Sequence, residues 1–279
     1  MKARYINPFT DFGFKKIFGE EASKPLLRDF LNALLPQSNQ IAELSLRNPE
    51  QPGSVVADRK AVFDIYCENQ KGEKFLVELQ KARQNYFKER TLYYSTFPIQ
   101  EQAERGMWDY NLKAVFCIGI LDFAFNGNGT GPGHAEVVHT VTLKNQDGKN
   151  FFNKLTFIFL EMPNFNQSAD ALHSRLDQWL YFIKHLEEFE SPPRIFEDDV
   201  FKSAFERAEL ARYSRTELAG YENSLKIFRD WKGVIETAHD EGKQEGIHSV
   251  ARAMKKNGLT LETIVQSTGL TQEEIARLD

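Results

Sequence analysis

The chain has 279 residues, of which 41% are hydrophobic and 27% charged, with 23 Phe and a formal net charge of −5. That length can bury the core of one large or two smaller domains, and the composition excludes an intrinsically disordered chain. It also excludes a polycation, so any contact with nucleic acid must come from local clusters of Lys and Arg.

In chain order, a short DFGFKKIFG segment precedes SKPLLRDFLNALLP. There Leu26, Leu27, Phe30, Leu31, Leu34 and Leu35 recur at helical spacing until Pro36, predicting an amphipathic helix against a core. A short strand is expected in IAELSLRN, then a turn at Pro52 and Gly53, then a hairpin in AVFDIYCENQKGEKFLVELQ, residues 61 to 80. Residues 86 to 105 read as a helix with a kink at Pro98. LKAVFCIGILDF is continuously apolar, as buried central strands are. After the Gly-rich FNGNGTGPGH loop, EVVHTVTL and KLTFIFLEM are strand candidates. This order gives an α/β protein with a mixed sheet.

From Asp170 onward the pattern is helical, broken at SPPR and then continuing as a long charged stretch. The domains expected are a core over 1–190, a helical extension over 191–246 and a small helical, helix-turn-helix-like tail over 247–279. Cys67 and Cys117 each sit in an apolar strand-like run, which argues for reduced core thiols. The N-terminus lacks the pattern of a signal peptide, and no run approaches the ~20 apolar residues of a membrane span. A cytoplasmic protein without membrane contact is expected.

The hairpin carries the chemistry. Alternation puts Val62, Asp64 and Tyr66 on one face of the first strand, and Leu76, Glu78 and Gln80 on one face of the second. With the turn near Asn69 to Glu73, pairing Cys67 with Phe75 also pairs Asp64 with Glu78. Facing Cβ atoms in such a pair are roughly 4.5–5.5 Å apart, so two carboxylates converge where like charges destabilise. The plain alternative is a solvated strand face bearing surface charge. A divalent cation would resolve the conflict, and Mg²⁺, held by one or two carboxylates plus water and phosphate oxygens, suits so sparse a ligand set. From Lys81 to Arg90 the positive residues Lys81, Arg83, Lys88 and Arg90 face only Glu89 in opposition. This is a local phosphate-binding footprint beside the acids.

Asp64, the hairpin, Glu78-Leu79-Gln80 and the following KARQNYFKERTLYYS together resemble the PD-(D/E)XK nuclease superfamily. More narrowly, the chain is similar to the recombination-promoting nuclease (Rpn) group of transposase-like proteins. DFGFKKIFG, FLEMPNF at 159–165 and the NGLTLETIVQSTGLTQEEI tail support the resemblance over nearly the whole chain. It implies a restriction-endonuclease-like core, a mixed sheet flanked by helices, that cuts DNA with Mg²⁺ or another divalent cation in DNA mobility, recombination or defence against foreign DNA. It further implies Asp64 and Glu78 as metal ligands, with Gln80 standing where the superfamily usually has lysine. Glutamine can orient a water but brings no positive charge. Lys15 or Lys16 on the first helix could supply that charge and contact DNA, together with Lys81, Arg83, Lys88 and Arg90. The rival reading is a catalytically silent nuclease-fold protein that binds nucleic acid or a partner, and a homodimer is left open.

Elsewhere the signals are weak. The six His show no zinc-binding spacing, and GNGTGPG lacks the lysine of a phosphate loop. Glu161 reads as a structural strand-end acid. In the tail, Arg252, Lys255, Lys256 and Arg277 balance Glu262, Glu273, Glu274 and Asp279, which favours a structural or protein-interaction role over direct groove reading.

Overall fold

The computed structural model describes residues 3–51, 61–103, 108–125 and 136–278. Its compact units are residues 1–224 and 225–279. The first opens with α1 (Asp11–Phe18) and α2 (Lys24–Leu34). Thr10 caps α1 by accepting the Gly13 N–H, and Gly13 is required because a Cβ there would stand 2.1 Å from the Asn7 carbonyl oxygen. The leucine and phenylalanine spacing predicted α2, and Leu26, Leu27, Phe30 and Leu31 are all fully buried.

The strands are β1 (Leu44–Leu46), β2 (Glu50–Gln51), β3 (Ala61–Val62), β4 (Ile65–Asn69) and β5 (Lys74–Gln80). After α3 (Phe87–Gln100) come β6 (Val115–Leu121), β7 (Val138–Lys144) and β8 (Asn150–Glu161). Six of them form one sheet in the order β1-β4-β5-β6-β8-β7, with β5, β6 and β8 parallel and the outer pairings antiparallel. The mixed sheet expected from the sequence is present. Every residue of β6 is buried, as its unbroken apolar run requires. The Pro52–Gly53 turn and most of the Gly-rich loop lie outside the described residues.

One local expectation is corrected. The first hairpin strand is not continuous from Ala61 to Cys67: β3 pairs with β2, and the chain breaks at Phe63 and Asp64 before β4 begins. Val62 is therefore 53% exposed, while Phe63 is buried against Tyr66, Leu76 and Cys117. The register slip at the break puts Phe63, and not Val62, on the face that α3 covers through Tyr94 and Phe97.

Helices α4 (Arg175–His185) and α5 (Asp199–Ala208) complete the core. Trp179, fully buried, donates its Nε1–H to Asp29 on α2 at 2.7 Å, and Arg175 bridges Asp29 and Asp198 at 2.7 Å each. Asp198 in turn caps α5. Removing the Trp179 side chain would cost about 3–5 kcal/mol.

Helix α6 runs unbroken from Arg215 to Lys256, and the two units divide within it. In the second unit, α7 (Leu261–Thr268) and α8 (Gln272–Ala276) pack Ile264, Leu270, Ile275 and Leu278 around Ala251. Each Gly-Leu-Thr repeat is a turn followed by a cap: Gly258 and Gly269 take positive φ, and Thr260 and Thr271 cap the next helix.

Candidate active site

The β4–β5 register pairs Cys67 with Phe75 and Ile65 with Val77, which carries Asp64 opposite Glu78. The turn between them closes through the Asn69 N–H to the Glu73 carbonyl, 3.1 Å, with Gly72 at φ 77°. Because Asp64 lies in the break before β4, it clamps the next strand crosswise. Its N–H donates to Glu78 Oε1 at 3.3 Å, and its own Oδ2 accepts the Leu79 N–H at 2.7 Å. Glu78 Oε2 accepts from the Gln80 amide at 3.1 Å, and Gln80 Oε1 accepts from the Arg90 guanidinium on α3. Gln80 is buried, whereas Asp64 and Glu78 keep part of their surface.

Gly119 on β6 stands in register with Glu78 on one side and Phe159 on the other. A Cβ there would meet the Phe159 ring at 3.0 Å. The glycine thus lets that ring pack close beside the acid. A cavity of about 20 Å³ lined by Glu78, Gln80, Arg90, Tyr94, Cys117 and Gly119 lies beneath, room for about one water.

Burial, and then the charge of Asp64, push the Glu78 carboxyl up to about 8, against the opposing pull of Arg90 and the Gln80 amide. Burial also raises Asp64, opposed by the Leu79 N–H and by the charge of Lys15. Among the described residues the two acids receive the N–H groups of Asp64 and Leu79 and one Gln80 amide hydrogen, and both offer hard oxygen. Such a donor set fits a divalent cation of the Mg²⁺ type better than zinc. Among the described residues no group of three or more His, Cys, Asp or Glu is placed to hold a metal.

The basic residues divide into three sets. Lys81 is half-buried and feels both Asp64 and Asp11, burial lowering its pKa against their attraction. Lys15 pairs with Asp11 at 2.8 Å, and its charge reaches Asp64. Arg90 reaches the acids through Gln80 and lies over the rings of Phe87 and Tyr94. Arg83 and Lys88 line a cleft of about 260 Å³ with Gln84, Tyr86, Phe123 and Phe125, Lys88 lying 5.0 Å from the Phe125 ring centre. Tyr86, 76% exposed, holds a left-handed backbone (φ 62°) at the rim, a conformation uncommon for a bulky residue. Lys16 is directed elsewhere, into ion pairs with Glu217 at 2.7 Å and Glu20 at 3.2 Å.

Sequence reasoning did not single out Asp11 and Tyr94. The signal for Asp11 was its place four residues before Lys15 in a helical first turn. Tyr94 was visible only as one aromatic of several on α3.

Glu161 closes β8 with its carboxylate occupied. Oε1 accepts the Phe125 N–H at 2.9 Å, and Oε2 accepts from the Asn164 amide at 2.5 Å. His139 Nε2 lies 3.3 Å from Oε1 without the geometry of a hydrogen bond.

A parallel three-strand centre, an acid-bearing hairpin feeding into it and a basic, aromatic helix crossing its face define a nuclease-type α/β core. Residues 8–238 match the family model described as PD-(D/E)XK nuclease family transposase, and residues 244–279 match the C-terminal HTH domain of the Rpn/YhgA-like nuclease family. The chain belongs to the PD-(D/E)XK nuclease family of transposases, and its six-stranded sheet with flanking helices and helical C-terminal region is the restriction-endonuclease-like fold expected from the sequence. No curated protein and no solved structure matches it. Among the described residues no helix is long and apolar enough to cross a membrane.

Proposed function

We propose that the chain is a divalent-cation-dependent DNA endonuclease of the cytoplasm that hydrolyses phosphodiester bonds, serving DNA mobility, recombination or defence against foreign DNA. The observation that carries this is the Asp64–Glu78 pair, two partly buried carboxylates facing across a hairpin with the Glu78 carboxyl raised to about 8. Such an arrangement costs stability unless something positive joins it. Mg²⁺, when bound there, lowers the pKa of a water and polarises the scissile phosphate.

The chain's own groups do the rest. The N–H groups of Asp64 and Leu79 fix the two carboxylates against each other. Gln80 orients the Glu78 carboxylate and, through its amide, a water beside it. Arg90 supplies next to Gln80 the positive charge that the glutamine lacks, and Lys81 and Lys15 supply it next to Asp64. That charge opposes the negative charge that develops on phosphate oxygens. Arg83 and Lys88 hold flanking phosphates, with Tyr86 and Phe125 available for base contact. Lys16, engaged with Glu20 and Glu217, serves the fold. The match of the tail to an HTH domain supports DNA binding by that segment, in place of the interaction role suggested by its net charge. Net charge is a property of the whole segment, whereas groove contact is made by one face of one helix.

The second reading, a nuclease fold that binds DNA without cutting it, is favoured by one observation: Gln80 spends its amide on Glu78 and its carbonyl on Arg90. Nicking of supercoiled plasmid with and without Mg²⁺ separates the two, using Asp64→Asn as control. Metal-dependent nicking lost in the variant supports the endonuclease, and retention of plasmid without nicking supports the silent binder.

A further inference from the structure

Two loops leave the carboxyl ends of neighbouring parallel strands and part around a cleft. Gln80 of β5 and Leu121 of β6 stand in register, and residues 83–86 and 123–125 follow them into its walls. Crevices beyond the carboxyl ends of parallel strands are where α/β sheets bind ligands. The volume, about 260 Å³, falls just short of the roughly 300–1,000 Å³ of sites that enclose drug-sized molecules. It suits one ring system. Tyr86 at the rim breaks three local rules. Its backbone is left-handed at φ 62°, which destabilises a bulky residue. It stands at the N-cap of α3, where Ser, Thr, Asn or Asp would accept a first-turn N–H, and it makes no such bond. Its ring is 76% exposed, so little packing offsets these costs. Such departures concentrate at functional sites.

The lining specifies what would meet that ring. Phe125 gives an apolar floor, held by Phe159 and Phe87 at ring-centre distances of 5.3 and 6.1 Å. Gln84 and Asn85 bring side-chain amides, each both donor and acceptor, the groups that read a base edge. Arg83 and Lys88 outweigh Glu89 and leave the mouth positive, as a phosphate requires. An aromatic face, amides and cations within so small a volume match one nucleotide. Its base must be unpaired, because in a duplex its neighbours cover both its faces and its partner covers its edge. The cleft is also tied to the acid pair. One guanidinium nitrogen of Arg90 donates to Gln84 Oε1 at 2.5 Å and another to Gln80, whose amide donates to Glu78.

We infer that this cleft takes up one unpaired nucleotide of the DNA beside the acid pair, its base stacked on Tyr86. The preferred substrate is then DNA with an unpaired base, whether single strand, bulge or flap. The inference rests on the reading of the chain as a DNA-binding nuclease fold and names the substrate class of that site.

The test uses the full chain without metal, so that binding is read apart from cutting. Fluorescence anisotropy compares a fully paired duplex with the same duplex carrying one extra, unpaired thymine. Wild type should bind the bulged duplex about 10-fold more tightly, as stacking of one base on an aromatic ring provides. Glycine adopts a φ of 62° freely, so Tyr86→Gly removes the ring and keeps the turn. It should bring the bulged duplex to the affinity of the paired one and leave the paired one unchanged, whereas Tyr86→Phe keeps the preference. With 5-iodouracil as the unpaired base, irradiation should cross-link the DNA to the peptide carrying Tyr86, and iodouracil paired with adenine should not. No preference for the bulged duplex, a preference that survives Tyr86→Gly, or cross-links confined to residues 244–279 would each overturn the inference. Plasmid nicking in any of those cases leaves the endonuclease reading standing, whereas a chain that neither binds nor nicks DNA removes both.

Discussion

Two glutamates stand on the same face of the sheet near the ends of parallel strands. In register, Glu78 lies beside Gly119, and Glu161 lies beyond Leu121 from Gln80. Their surroundings differ in one respect. Glu161 is 4% exposed and receives the Phe125 N–H and the Asn164 amide, one donor for each oxygen, with an imidazole close by. Among the described residues Glu78 receives a long contact from the Asp64 N–H and one amide hydrogen from Gln80, and it faces a second carboxylate. A buried acid whose oxygens are filled by local donors is part of the fold. A pair of acids whose donors fall short of their charge is poised for a ligand that brings charge with it. Burial alone would have ranked the two the wrong way round.

The sharpest way to break this comparison is to remove the acids. Asp64→Ala and Glu78→Ala should each reduce Mg²⁺-dependent plasmid nicking to background, while thermal melting shows the fold intact or slightly more stable through relief of repulsion. Full nicking by either variant would move the site elsewhere. Next in size, Gln80→Ala should lower turnover by on the order of 10² to 10³, with DNA binding less affected. Gln80→Lys should retain activity, since it adds positive charge where Arg90 already brings it. If Gln80→Ala cuts at the normal rate while Asp64→Ala is inactive, Lys15 and Lys81 become the candidates for the third group. Glu161→Ala should do the opposite of Glu78→Ala. It leaves the Phe125 N–H without its acceptor and should cost about 1–3 kcal/mol in urea unfolding, with nicking per folded molecule preserved. Loss of nicking in a folded Glu161→Ala protein would erase the distinction drawn between the two acids.

Much of this was legible in the sequence because it is local. The turn at Asn69 to Glu73 and the alternation on β5 fix the register that brings Asp64 to Glu78. The apolar run of β6 announces a central strand, and the two Gly-Leu-Thr segments announce the turns of the tail. What was not legible depends on distant partners. The break at Phe63 arises because β3 leaves the main sheet to pair with β2. Lys15 and Lys16 are adjacent and chemically alike, and Lys16 is withdrawn by Glu217, some 200 residues away, together with the nearby Glu20. The long charged helical stretch was legible through residue 245, whereas its continuation past Gly246 to Lys256 was not.

The last effect, a dependence of stability on pH, tests the cause of the Glu78 shift. In the folded, metal-free chain Glu78 holds its proton to about 8, whereas the ordinary value is 4.5. Between those limits the folded state binds more protons than the unfolded state, so the contribution is fully present below about 4.5 and is lost as pH rises toward 8. At its steepest the slope is about 1.4 kcal/mol per pH unit. Urea unfolding of metal-free protein at pH 5.5, 6.5 and 7.5 should therefore show wild type losing stability relative to Glu78→Gln as pH rises. Asp64→Asn should flatten the same difference, because it removes the second cause of the shift while leaving burial in place. Mg²⁺ should restore stability to wild type more at pH 7.5 than at 5.5, since it competes with the proton for the pair, and should do little for either variant. A difference that is independent of pH would mean that Glu78 is ionised in the folded chain, and that enough donors surround it for the pair to stand without a cation.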